Sequence, residues 1–183
     1  MFNRIFALCL CLTLCGQGLS LGCRWMDHKF SQQSKSALDE LRTMGGNYTQ
    51  NSSGVDFPTG LYEQASQASA EDRLNFMAQV LEEVVHLFEE DWDSMPWPET
   101  TVNNFLSVVN QQEEGVRSCS LDSSHSHRSP ITLHRHFLNI YFMFLTIILL
   151  SFFLQGHSSE AWELMRKEIE AHLLRIDILA ASV

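Results

Sequence analysis

The chain has 183 residues, which suits one ordinary domain and is short for two. Apolar residues make up 45% of it, enough to build a core, so a wholly disordered chain is excluded. A net charge of −10 excludes binding to a phosphate backbone, which needs a basic surface, and gives no attraction to anionic lipid.

Residues 1–22 read as a secretory signal peptide. Arg4 marks a short basic start, "IFALCLCLTLC" is the apolar centre, and Ser20 and Gly22 fill the small-residue positions of a cleavage site. An uncleaved anchor is the alternative, but the apolar centre is short for a span. Cleavage removes Cys9, Cys11 and Cys15, leaving Cys23 and Cys119 in the domain 23–183. In an oxidising compartment these form one disulfide or stay as two separate thiols. A bridge would close a loop of about 100 residues and contribute about 4–5 kcal/mol.

The pattern from residue 25 on is helical, without strand alternation. A first helix over 25–44 sets Met26, Phe30, Leu38 and Leu41 near one face and stops at "MGG". A connection rich in Gly, Asn, Ser and Pro follows to about Ser66, long enough for a crossover between parallel helices. Its "NYTQNSS" carries two glycosylation acceptors, Asn47 and Asn51.

The clearest helix is "SAEDRLNFMAQVLEEVVHLFEEDW", opened by Ser69 and Asp72 as a capping box. Leu74, Met77, Leu81, Val84 and Phe88 recur in steps of three and four, and Val80 and Val85 widen the stripe. Glu82, Glu83, Glu89 and Glu90 fall opposite, as a solvated face. "DSMPWPE" makes a short corner, and short corners favour antiparallel neighbours. The next helix starts near Pro98 and runs through Val102, Phe105, Leu106 and Val109 toward Cys119.

"SLDSSHSHRSP" is a second long polar link. His125, His127, His134 and His136 have His-x-His spacing, but a structural zinc site wants four fixed ligands, usually with cysteine, so no metal or other cofactor is expected. Nor is an enzyme: there is no G-x-S-x-G, H-E-x-x-H, phosphate-binding glycine loop or thiol redox pair. The last helix, "SSEAWELMRKEIEAHLLRIDILA", places Trp162, Met165, Ile169, Leu173, Ile176 and Leu179 on one side. Glu163 and Lys167 are spaced for a surface ion pair. Five helices with two long connections make an all-α, up-up-down-down bundle.

Several stretches together resemble the type I interferons of fish, in the two-cysteine group. "EAWELMRKEI" is similar to the family's last-helix signature and "GCRWMDHKF" to the start of its mature chains. "FMAQVLEEVVHLFEED" and "VRSCS" resemble the second helix and the close of the third. The resemblance implies a helical cytokine domain over 23–183, monomeric and secreted. It implies an antiviral ligand that binds two different class II cytokine-receptor chains and signals through their associated kinases. It further implies that Cys23 pairs with Cys119, and that Arg24, Lys35, Arg166 and Lys167 face a receptor. Arg166 and Lys167 also read as an ordinary solvated helix face. Ala171 stands where mammalian relatives carry a second basic residue, and Ser159 where other groups carry a cysteine.

One run fits none of this. Residues 137–154, "FLNIYFMFLTIILLSFFL", lose both charge and periodicity where an amphipathic, basic fourth helix is expected. Three readings compete: a transmembrane span, a wholly buried helix, and translated intron whose "SFFLQG" mirrors a pyrimidine tract and acceptor splice site. The first supports a rival function, a small membrane-anchored glycoprotein. In a bundle helix, so apolar a surface would promote aggregation or membrane attachment and weaken secretion and signalling.

Overall fold

The computed structural model describes residues 23–45, 57–90, 95–123 and 158–182. The signal segment, both glycosylation acceptors, the histidine-rich link and the apolar run 137–154 lie outside the described residues. No helix among the described residues is long and apolar enough to cross a membrane.

Helix α1 begins with a π-helical turn, Met26–Phe30, and continues as an α-helix over Ser31–Met44. The turn has a packing reason. Its i to i+5 repeat brings Trp25 over Phe30, ring centroids 5.9 Å apart and edge to face. The Trp25 indole also lies against Gly115, where an added Cβ would overlap the ring. A disulfide between Cys23 and Cys119 closes this corner, with Cα atoms 5.4 Å apart.

Within the first long connection the chain forms a short helix, α2, over Thr59–Gln67. The loop-like composition of this stretch concealed it. Helix α3 spans Ala70–Glu90. Its start is capped as expected by Ser69, whose hydroxyl accepts from the Asp72 amide at 3.1 Å; the same hydroxyl donates to the Asp72 carboxylate at 2.7 Å, which makes half of a capping box. Helix α4 spans Glu99–Ser123, with the Pro98 carbonyl accepting from the amides of Thr101 and Val102. Helix α5 spans Ser159–Ala180, capped by the Ser158 hydroxyl, which accepts from the Ala161 amide.

Cross-helix contacts set the directions. Cys23 meets Cys119, and Gln33 meets Gln111, so α1 and α4 are antiparallel. Glu82 pairs with Arg117 and Phe88 packs on Phe105, so α3 and α4 are antiparallel. Arg42 pairs with Glu170 near the end of α1, while Arg73 at the start of α3 holds Ser182 beyond the end of α5. Thus α1 and α3 run up, α4 and α5 down. Neighbours around this square are α1–α4, α4–α3, α3–α5 and α5–α1. The long connection carrying α2 is the crossover that lets α1 and α3 run parallel.

The predicted stripes form the core. Leu74, Met77, Val80, Leu81, Val84 and Phe88 of α3 are buried, as are Val102, Phe105 and Val109 of α4. Trp162, Met165, Ile169, Leu173, Ile176 and Leu179 of α5 meet them. Phe88, Phe105, Trp97 and Trp162 close one end, with Trp97 edge-on to Trp162 at 5.5 Å. Two carboxylates depart from the expected solvated faces. Glu83 is buried and accepts from the Gln79 amide at 2.7 Å, which satisfies an oxygen removed from water. Glu163 is buried too, and its partner is Arg166.

Candidate functional site

The end of α1 and helix α2 both pack on α5, and buried polar side chains outside the apolar core gather at these contacts. Helix α5 contributes in two directions. Its apolar positions enter the core, while Arg166, Glu170 and His172 turn toward α1 and α2.

The Arg166 side chain is only 8% exposed. Its Nε donates to Glu163 Oε2 at 3.0 Å and its Nη2 to Glu163 Oε1 at 2.6 Å, a two-pronged carboxylate pair. Its Nη1 donates to the Leu41 carbonyl at 3.3 Å and lies 3.8 Å from Glu170. That carboxylate hydrogen-bond set holds the guanidinium above its ordinary pKa despite burial. Glu170 also takes a hydrogen bond from Arg42 Nε at 2.7 Å, extending the network to the surface. Gly45 makes room for it. The residue has an extended backbone, φ −72° and ψ 144°, so it ends α1 without a left-handed turn. What glycine supplies is space, because a Cβ there would overlap the Arg166 guanidinium.

Beside this network, Tyr62 of α2 meets His172 of α5, the hydroxyl 2.6 Å from Nδ1. Both side chains are buried. Burial pushes the His172 pKa down to about 3, so the ring is neutral. Burial, aided by the charge of Glu168, raises that of Tyr62, so the phenol keeps its proton although Arg175 acts in the opposite sense. Glu168 Oε1 lies 3.6 Å from His172 Nε2 and favours the ring proton on that nitrogen. The Tyr62 hydroxyl therefore donates to Nδ1. Phe57 stacks on Tyr62 at 5.5 Å and meets His172 in a tilted contact at 4.9 Å, and Arg175 covers its ring at 5.7 Å.

The residues expected at a receptor are not one cluster. Arg24, just before α1, and Lys35, more than two turns further on, are both exposed. Lys167 is half-buried on α5. Arg166 lies beneath the surface, engaged inside the bundle. Residues that the sequence reading passed over define the exposed edge of α5: Leu174 is 41% and Ile178 64% exposed, one turn apart and flanked by the exposed Arg175. Tyr62 and His172 were also passed over. His172 carried a signal, since it falls within the apolar stripe of α5 between Ile169 and Ile176.

Comparison with known proteins agrees with this architecture. Residues 26–183 match the sequence profile of the interferon alpha/beta domain. Interferon a3 of Oncorhynchus mykiss is 33% identical over 176 residues, covering 96% of this chain and 95% of that protein. Interferon alpha-1/2 of Canis lupus familiaris is 25% identical over 183 residues, covering 97% and 95%. Among solved structures, zebrafish interferon 1 superposes with a TM-score of 0.74 at 25% identity, covering 87% of this chain and 99% of that one. Zebrafish interferon 2 gives 0.61 at 20% identity, covering 81% and 96%, a likeness of fold. With the four long helices among its described residues running up, up, down and down and its matched sequence spanning 26–183, the chain belongs to the interferon alpha/beta family and is a type I interferon of the fish kind.

Proposed function

We propose that residues 23–183 act as a secreted, monomeric antiviral cytokine that engages two different class II cytokine-receptor chains. Juxtaposing the two chains activates the kinases on their cytoplasmic tails, and those kinases switch on transcription factors for antiviral genes. One receptor chain reads α1, the crossover with α2, and α5. The other reads the outer faces of α3 and α4 and of the fourth helix expected before α5, which lies outside the described residues. Arg24, Lys35 and Lys167 offer cations to the first chain, and Leu174 with Ile178 offers an apolar ridge whose rim is charged. Such a ridge gains by being covered. Arg166 serves from beneath by tying α5 to the end of α1.

The observation that carries the reading is the packing of α5 on α1 and α3 in one bundle. The rival glycoprotein, anchored by a span at 137–154, needs α5 on the opposite side of a bilayer from α1. The Arg42–Glu170 and Arg73–Ser182 contacts speak against that separation.

The test is conditioned medium from expressing cells applied to cells carrying an interferon-responsive reporter. Dose-dependent induction, blocked by the soluble ectodomain of either receptor chain, is expected. A silent reporter in the presence of oxidised, folded protein would overturn the reading. Glycans at Asn47 and Asn51 belong to the same proposal, and a glycosidase mobility shift lost in the Asn→Gln variants tests them.

A further inference from the structure

Helix α2 has too little of its own to hold it in place. Nine residues are too few for a stable isolated helix, and it buries just two side chains, Tyr62 and Ala65. Its position is therefore a matter of where Tyr62 is held. The ring is gripped from three elements: edge-on by Phe76 of α3 at 5.3 Å, by stacking on Phe57 before α2, and by the hydrogen bond to His172 of α5. The two ring contacts are apolar and tolerate sliding. The hydrogen bond is directional, since a neutral imidazole offers one acceptor and the hydroxyl must reach it. A displaced hydroxyl would leave Nδ1 buried beside apolar rings, which opposes movement of α2 along or around α5.

Both helices that share this joint carry exposed residues. Glu63, Gln64 and Gln67 of α2 face solvent, as do Leu174, Arg175 and Ile178 of α5, and Arg175 covers Phe57 beside the joint. Neither set alone is wide enough for a stable protein interface, so their relative placement becomes part of what a partner reads.

We propose that the Tyr62–His172 hydrogen bond is a positioning element that fixes the crossover helix against the last helix and so sets the composite surface read by one receptor chain and not the other. The proposal rests on the two-receptor reading above. Tyr62 and His172 touch no receptor in this account; they act through α2.

The experiment uses the oxidised full-length mature chain and the two receptor ectodomains, each immobilised separately. Tyr62→Phe keeps the ring and deletes the hydroxyl. His172→Leu deletes the acceptor, and His172→Asn restores one near the place of Nδ1. Amide exchange over 59–67 should quicken by about tenfold or more in Tyr62→Phe and His172→Leu. Affinity for the chain that reads α1, α2 and α5 should fall about five- to tenfold in the same two variants, and His172→Asn should recover most of it. Affinity for the chain that reads α3 and α4 should stay within about twofold. Faster exchange with both affinities unchanged would make the bond merely structural and overturn the proposal, as would equal losses at both chains. Wild-type protein that engages neither ectodomain overturns the two-receptor reading and this one together, whereas wild type that binds the chain reading α1, α2 and α5, with Tyr62→Phe and His172→Leu matching it there, overturns this one alone.

Discussion

The guanidinium of Arg166 fills the space beside Gly45 that any larger residue at position 45 would claim. The end of a flexible arginine normally swings aside at little cost. Here both carboxylate oxygens of Glu163 and the Leu41 carbonyl hold it. Gly45→Ala should therefore destabilise the fold by about 1–3 kcal/mol, although the backbone at Gly45 suits alanine. In an Arg166→Met background the same change should cost clearly less, because the obstacle is gone. Urea unfolding of the four proteins in the cycle checks this; equal costs in both backgrounds would rule the contact out as the cause.

Removing one partner of the Arg166–Glu163 pair should hurt more than removing both. Arg166→Met leaves a carboxylate that is 7% exposed without its cation, a loss of about 3–5 kcal/mol. Adding Glu163→Leu removes the stranded charge and should recover most of that loss, since an apolar pair of similar volume needs no solvation. Glu170 keeps Arg42 in either protein. Unfolding midpoints at one pH and ionic strength supply the comparison.

Much of the bundle was legible because periodicity and capping act locally. Leu74 to Phe88 and Trp162 to Leu179 declared their buried faces, and Ser69 with Asp72 declared where α3 starts. Helix α2 was not legible, since two buried residues make no period and its neighbours are Gly, Pro and Ser. The partner of Glu163 was misread for a different reason. Arg166 and Lys167 both lie within reach along the helix, and spacing alone preferred Lys167. Burial decided otherwise, because α1 covers that face of α5 and offers the Leu41 carbonyl to Arg166. The receptor role expected of Arg166 came from its place in a motif, which carries no information about depth, and the depth is what the fold adds: the side chain is buried. The apolar run 137–154 stays outside the described residues.

Cys23 and Cys119 are separated by 96 residues, so their bond constrains nearly the whole span from the start of α1 to the close of α4. Replacing both by serine should cost about 4–5 kcal/mol through the freed chain entropy of the unfolded state. The first local consequence should appear at Trp25, whose seat against Gly115 lies beside the bridge. Amide exchange over 24–30 in the double variant should rise under conditions where α3 remains protected. Uniform loss of protection across both helices would show that this corner has no separate stability.

The buried imidazole gives the fold a defined response to acid. His172 has its pKa pushed down to about 3 by burial, whereas an unfolded chain protonates it near pH 6.5. The unfolded state thus binds the extra proton first as pH falls. Stability is fully present above about pH 6.5 and drains away progressively toward pH 3, with about 2 kcal/mol lost by pH 5. Glu168 works in the opposite direction, because burial raises its pKa and the folded state then takes up a proton before the unfolded one. That compensation builds up above its ordinary value of 4.5, and it acts in wild type and His172→Asn alike, so the difference between the two isolates the histidine. Urea unfolding of the oxidised protein at those two pH values, with wild type and His172→Asn side by side, separates its share. The wild type should lose about 2 kcal/mol more than the variant, while the hydrogen bond from Tyr62 persists in both. Equal losses would mean that some other group titrates and that the His172 ring is not what acid attacks.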